Sequence, residues 1–289
     1  MMPPISVDHE AVEEILIVLV EKLEKKEFDL PPLPQIASQV LAVISDPDAD
    51  APKLTALIQQ DPILTAKIFQ TSNSVAHGAA REITSLQQAI SWLGLNTVAA
   101  AAFTLSVQSG VFNVRGYEHE VKVLWQHMLT TAFYAKRIAG LIGTNPETAF
   151  LSGLLHAIGK PLVVHTVNQF QKDSPSPLPW PTIATLLDQS YVEVGRQLAE
   201  AWEFPDPVKE AINLHGDHSY HLATSSTKSA AITCAARHLA SHFLNQKSLS
   251  EDALRVLPVV RSLTIKADFI DALLEIHESI QAQVSSMCI

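Results

Sequence analysis

The stretch that decides the fold is Ile83–Val114, ITSLQQAISWLGLNTVAAAAFTLSVQSGVFNV, which contains no charged side chain. A membrane-crossing helix needs about 20 consecutive, mostly apolar residues. This run is long enough, but Thr84, Ser85, Gln87, Gln88, Ser91, Asn96, Thr97, Thr104, Ser106, Gln108 and Ser109 interrupt it. Gly94 divides it. The run therefore predicts two buried helices broken near Gly94, with no membrane insertion.

The rest of the chain supports a large core. It has 289 residues, of which 47% are hydrophobic and 17% charged, against about 25% charged in an average protein. That size suits one large domain or two small ones. Lys and Arg total 20, Asp and Glu 30, for a net charge of −10. An acidic chain is a poor candidate for a nucleic-acid partner, because phosphate binding normally needs a basic excess. The start, Met1-Met2-Pro3-Pro4, leads into acidic residues rather than the basic and then apolar pattern of a secretion signal. Cys234 and Cys288 give neither a disulfide framework nor a CxxC metal site. The expected location is cytoplasmic.

Helical periodicity dominates. Ala11, Ile15, Leu16, Leu19 and Leu23 recur at helix spacing with charges between them. Similar stripes run through Ile36–Ile44, Leu54–Ile58, Ile63–Phe69 and Ile212–Leu214. Asp61-Pro62, Asn145-Pro146 and Asp206-Pro207 each place a good N-cap before a proline, whose missing N–H costs nothing at a helix start. Thr84 with Gln87 has the spacing of a capping box. Residues 48–52 read as a turn, and Asp173–Pro181, DSPSPLPWP, as an irregular surface loop. No alternation of strand period appears, so the expected class is all-α, with about a dozen short helices and no fixed repeat.

Few residues look chemical. Gly153–Lys160, GLLHAIGK, approaches a phosphate-binding P-loop, but the glycine spacing is one residue too long and Pro161 occupies the Ser/Thr position. Histidines are more numerous: His127, His156, His165, His215, His218, His221, His238 and His242. Helical metal sites are assembled from His and carboxylates on different helices. The bland alternatives are a core role for His156, a polar loop for His215–His221, and an exposed helix face for His238 and His242. Cys234, in the apolar run 230–236, reads as a buried and inert thiol. Trp92, Trp125 and Trp202 read as core or junction residues.

The order of segments carries more than any one of them. Leu30–Pro34, then Leu41–Pro47, Asp61–Ser74 and Ile83–Gly94, resembles the N-terminal half of HDOD domains. Leu124–His127, Phe150–Lys160, Val194-Gly195, Trp202–Pro205 and Ala211–His215 continue the resemblance, which spans about residues 28–242. It implies a multi-helix HDOD-type bundle in which an N-terminal helical subdomain packs on an HD-like one. The boundaries it suggests are an N-terminal helix over 1–27, the first subdomain over 28–112, the HD-like subdomain over 113–246 and C-terminal helices over 247–289.

HDOD domains resemble degenerate HD phosphohydrolases, in which His, a His-Asp pair and a later Asp hold divalent metal that activates water. Here His127 matches the first histidine and His156 that of the pair. Ala157 replaces the pair's aspartate, Ala236 aligns with the later one, and His215-Gly216 keeps one of two paired histidines. Lys160 is retained. Hard divalent cations prefer anionic oxygen, so the resemblance implies no catalytic residue and no cofactor. His127, His156 and His215 remain candidates for a zinc-like ion. The function it implies is non-catalytic bacterial signal transduction through protein–protein contact. Suitable partners are receiver or cyclic-di-GMP-related proteins, expected on a separate polypeptide. The alternatives are a phosphohydrolase with an altered ligand set, and a nucleotide or small-ligand sensor using the vestigial pocket. In the sensor reading, Lys160 is either a phosphate attractor or a solvated lysine at a helix end.

Overall fold

The computed structural model describes residues 9–25, 31–46, 50–74, 82–112, 114–171, 178–216, 228–244 and 249–287, and among them builds sixteen α-helices and no strand. The first six are α1 (His9–Glu24), α2 (Gln35–Ser45), α3 (Ala51–Ile58), α4 (Pro62–Ser72), α5 (Leu86–Leu93) and α6 (Leu95–Val111). The next six are α7 (Glu118–Leu141), α8 (Pro146–Leu155), α9 (Gly159–Phe170), α10 (Trp180–Ala201), α11 (Asp206–Leu214) and α12 (Lys228–Phe243). The chain closes with α13 (Glu251–Arg255), α14 (Pro258–Ser262), α15 (Ala267–Glu275) and α16 (His277–Met287). The turn expected over 48–52 is described only from Asp50, which caps α3. Most of the expected 173–181 loop lies outside the described residues. Its last part differs from expectation, since Trp180 and Pro181 already open α10.

The charge-free run folds as two helices meeting at 116°. Gly94 closes α5 and opens α6 with φ 88° and ψ 152°, a region open essentially only to glycine. A Cβ there would touch nothing within 4 Å. Gly94→Ala should therefore lose only backbone energy, about 1–3 kcal/mol, read as a lower urea midpoint with an unchanged slope. α5 starts with a capping box, one residue later than the sequence reading placed it. Ser85 accepts from the Gln88 N–H while the Gln88 side chain returns to the Ser85 N–H. This register turns Leu86, Ala89 and Ile90 inward and leaves Trp92 53% exposed, so Trp92 is not a core residue. In α6, Val98 to Leu105 is buried throughout.

Other caps follow the sequence. Asp61 accepts from the N–H groups of Ile63 and Leu64, and Asn145 from those of Glu147 and Thr148. Asp206 departs from it. Pro205 is the cap of α11, and Asp206 sits in the first turn without a side-chain capping bond. There its carboxylate still faces the positive end of the helix dipole.

The first half packs α2 and α4 against α6, and α6 meets α8 of the second half. In the second half α7 is central, flanked by α8 and α12, with α11 across α8 and α12. Gly153 lets α8 close on α7, because a Cβ there would stand 2.8 Å from the Ala132 Cα. Pro146–Gln169 is long and apolar enough to cross a membrane, yet 89% of an 18-residue apolar window within it is buried inside the fold. Trp202 is a junction residue: its indole N–H donates to the Pro31 carbonyl at 2.9 Å, tying the extended lead-in to the end of α10. Trp125 is core, at 1% exposure. α1 lies along α10, and α16 packs on α7 and α4.

Candidate functional site

Five helices and one turn converge on a cavity of about 400 Å³. α7 supplies Leu124, His127 and Met128. The α8–α9 turn supplies His156 and Ala157, and the start of α9 Lys160. Tyr191 comes from α10, His215 from the end of α11, and Arg237, His238 and Ser241 from α12, with Leu249 at the margin.

The turn is positioned by a close approach of backbones. His156 ends α8 and Gly159 begins α9, where a Cβ would lie 1.9 Å from the Tyr191 carbonyl oxygen and 2.7 Å from the Gly195 nitrogen. The two glycines of the P-loop-like string thus serve helix packing. The same contact brings Lys160 beside Tyr191, with the ammonium 4.8 Å from the ring centre. Lys160 is partly buried and lines the cavity. It is not a solvated helix-end lysine.

The three histidines aligned with HD positions do meet. Ring centres are 5.9 Å apart for His127 and His156, and 4.8 Å for His156 and His215. His156 and His215 are only 2% and 1% exposed. Their partners fix their protonation. His156 Nδ1 faces the Gly153 carbonyl at 2.7 Å and His215 Nδ1 the Ala211 carbonyl at 2.8 Å, and a carbonyl only accepts. Both Nδ1 atoms therefore carry the proton. His215 Nε2 then accepts from the Tyr191 hydroxyl at 2.9 Å. His127 Nε2 lies 3.1 Å from the Ser241 hydroxyl, linking α7 to α12.

Electrostatics agree with neutral rings. Burial, followed by the charges of Lys160, Arg237 and His215, lowers His127 to about 3. Burial, with the charges of Arg237 and Lys160, lowers His215 to about 4. His156 falls well below the usual imidazole range, through burial and then its two histidine neighbours. Lys160 is lowered by burial, against the pull of Asp188. Burial raises Tyr191.

The residues present fit a divalent metal poorly. Among the described residues, the cavity lining contains no Asp or Glu. Two of the three imidazoles already have Nε2 engaged, and Lys160 and Arg237 bring positive charge to the place a cation would occupy. Hard cations need anionic oxygen to offset their charge. Ala157 is buried on the cavity wall, whereas Ala236 is wholly buried in α12 and does not line it.

Sequence reasoning missed Arg237, Tyr191 and Ser241. Arg237 had a visible signal, as the one charge in the α12 run Ser229–Ala236 and its immediate sequel. His238 and His242 are half-buried rather than exposed. His238 faces the cavity, and His242 bonds to the Leu249 carbonyl at 2.8 Å. His165 stands apart, paired with Gln169 on α9. His218, His221 and Cys288 lie outside the described residues, and Cys234 is 1% exposed.

Comparison with known proteins gives a consistent family. The HDOD domain model matches residues 30–218. An uncharacterized protein of Treponema pallidum (strain Nichols) is 26% identical over 238 residues, which are 79% of this chain and 45% of that protein. The chain thus spans under half the length of this curated relative. Among solved structures, an HDOD domain protein of unknown function from Geobacter sulfurreducens superposes with a TM-score of 0.69 at 24% identity, covering 96% of this chain and 98% of that one. A protein of Shewanella amazonensis, provisionally named a metal-dependent phosphohydrolase, gives 0.72 at 20% identity, covering 96% and 99%. At these identities the likeness is one of fold.

Proposed function

Because the chain belongs to the HDOD family, we propose that it is a non-catalytic regulatory protein of bacterial signal transduction, acting in the cytoplasm through contacts with other proteins. One observation carries this reading. Among the described residues, the cavity at the HD position is lined by the neutral His127, His156 and His215, by Ala157 and by two cationic side chains, with no carboxylate. Metal-assisted hydrolysis needs a bound cation to lower the pKa of water and clamp the phosphoester. This lining repels the cation. The partners proposed are receiver or cyclic-di-GMP-related proteins, and the net charge of −10 favours a basic or mixed-charge contact face through complementarity.

Elemental analysis and a phosphodiester assay test the reading together. Purified protein should carry metal well below one equivalent, and adding manganese or zinc should yield no turnover above the rate of the free ion. One equivalent of metal, with turnover abolished in His156→Ala, would establish a phosphohydrolase with an altered ligand set. Affinity capture followed by mass spectrometry addresses the partner. Receiver or cyclic-di-GMP-related proteins should be recovered, and their absence would reject that assignment.

A further inference from the structure

We propose that the HD-derived cavity binds a phosphoryl group, carried by free phosphate or by a small phosphomonoester, between the side chains of Lys160 and Arg237. The inference rests on the non-catalytic reading of the same cavity. The first observation is an unmatched guanidinium. Arg237 Nε and Nη2 are buried and make no hydrogen bond among the described residues. Arginine cannot shed its proton, and a buried donor left unmade costs energy that native folds rarely leave uncompensated. Other arginines show the usual solution. Arg255 reaches Glu251, Asp252 and Asp271, and Arg196 reaches Glu193.

The second observation is independent. Lys160 is turned into the same cavity, over the Tyr191 ring, and the acid it feels, Asp188, is not part of the lining. Two cations therefore share one partly dry space with no acid on its wall among the described residues. An anion is the occupant that settles both. The planar fork of Arg237 matches two oxygens of a phosphate, and the ammonium of Lys160 suits a third. His156 adds complementarity. Its Nδ1 proton is given to Gly153, so Nε2 is an acceptor able to receive the P–O–H of a phosphate monoanion. A cavity of about 400 Å³ exceeds what one phosphate fills, leaving room for a small organic remainder. The positive charge of the cavity also contributes to holding the three imidazoles neutral.

Thermal shift and calorimetry of the full chain test this, using inorganic phosphate and adenosine 5′-monophosphate against sodium chloride of equal ionic strength. Phosphate should raise the melting temperature of the native protein, saturably. Arg237→Gln and Lys160→Gln should each weaken phosphate at least about tenfold, the value of one charge-assisted contact. The two variants separate binding from folding. Without phosphate, Arg237→Gln should melt no lower than the native protein, because an uncompensated charge has gone. Arg237→Lys should retain part of the response. If the nucleotide binds more tightly than phosphate, the ligand is a phosphomonoester; if equally or less, it is the free ion. No saturable shift with either probe, or shifts that persist in both glutamine variants, would overturn the proposal. Assaying the nucleotide samples for released phosphate keeps the two failures distinct. Release would overturn the non-catalytic reading, whereas absent binding without release overturns only the anion site.

Discussion

Gly159→Ala should destabilise the protein by about 3 kcal/mol or more, at the upper end of overpacking substitutions. The added methyl would stand 1.9 Å from the Tyr191 carbonyl oxygen and 2.7 Å from the Gly195 nitrogen. Both are backbone atoms of α10, so no side-chain rotation relieves the clash, and α9 must back away from α10. The damage extends to the cavity, because Tyr191 holds His215 and lies beneath Lys160. Gly140→Ala is the matching control. Gly140 lies near the end of α7, and a Cβ there meets nothing within 4 Å. Helix propensity then predicts a gain of up to about 1 kcal/mol. Urea titrations of the two variants should move in opposite directions from the native midpoint. A Gly159→Ala midpoint equal to the native one would mean that the two backbones are not in contact in solution.

The helices were legible because their signals are local. Asp61-Pro62 and Asn145-Pro146 announce their own caps, and Gly94 announces its corner. Where two registers share one spacing, local signals cannot choose. Thr84–Gln87 and Ser85–Gln88 are equally good capping boxes, and the burial of Leu86, Ala89 and Ile90 against other helices selects the second. The same choice carried Trp92 to the surface. At the site, resemblance singled out His127, His156 and His215, but their convergence is visible only in the fold. Arg237 could not be placed the same way. Its role depends on how α12 is rotated against α7, fixed by contacts such as His127 with Ser241, 114 residues apart. A one-residue difference, Ala236 in the core and Arg237 in the cavity, separates a lost acid from a gained cation.

Acid should unfold this protein earlier than its acidic composition suggests. His127 and His215 are held near 3 and 4 in the fold, and His156 well below the ordinary range. In the unfolded chain each returns to about 6.5. A base whose folded pKa is depressed leaves the unfolded state binding more protons, so stability rises with pH. The contribution is complete above about 6.5 and drains away as pH falls toward the folded values. At pH 5 His127 and His215 should each cost about 2 kcal/mol, and His156 adds in the same direction, against a typical total of 5–15 kcal/mol. The charged and titratable groups facing them decide whether the fold can compensate. Lys160 and Arg237 oppose protonation of His127 and His215, and Arg237 opposes that of His156. Urea midpoints in acetate and MES buffers should fall steeply from pH 7 to 5. His127→Gln should recover part of that fall, since it removes one of these titrations. A flat midpoint across this range would show that the imidazoles titrate freely. The same titration bears on the anion site. A phosphate between Lys160 and Arg237 would neutralise part of the charge that keeps the rings unprotonated, and would bind the folded state alone. In phosphate the acid transition should therefore shift to lower pH in the native protein but not in Arg237→Gln.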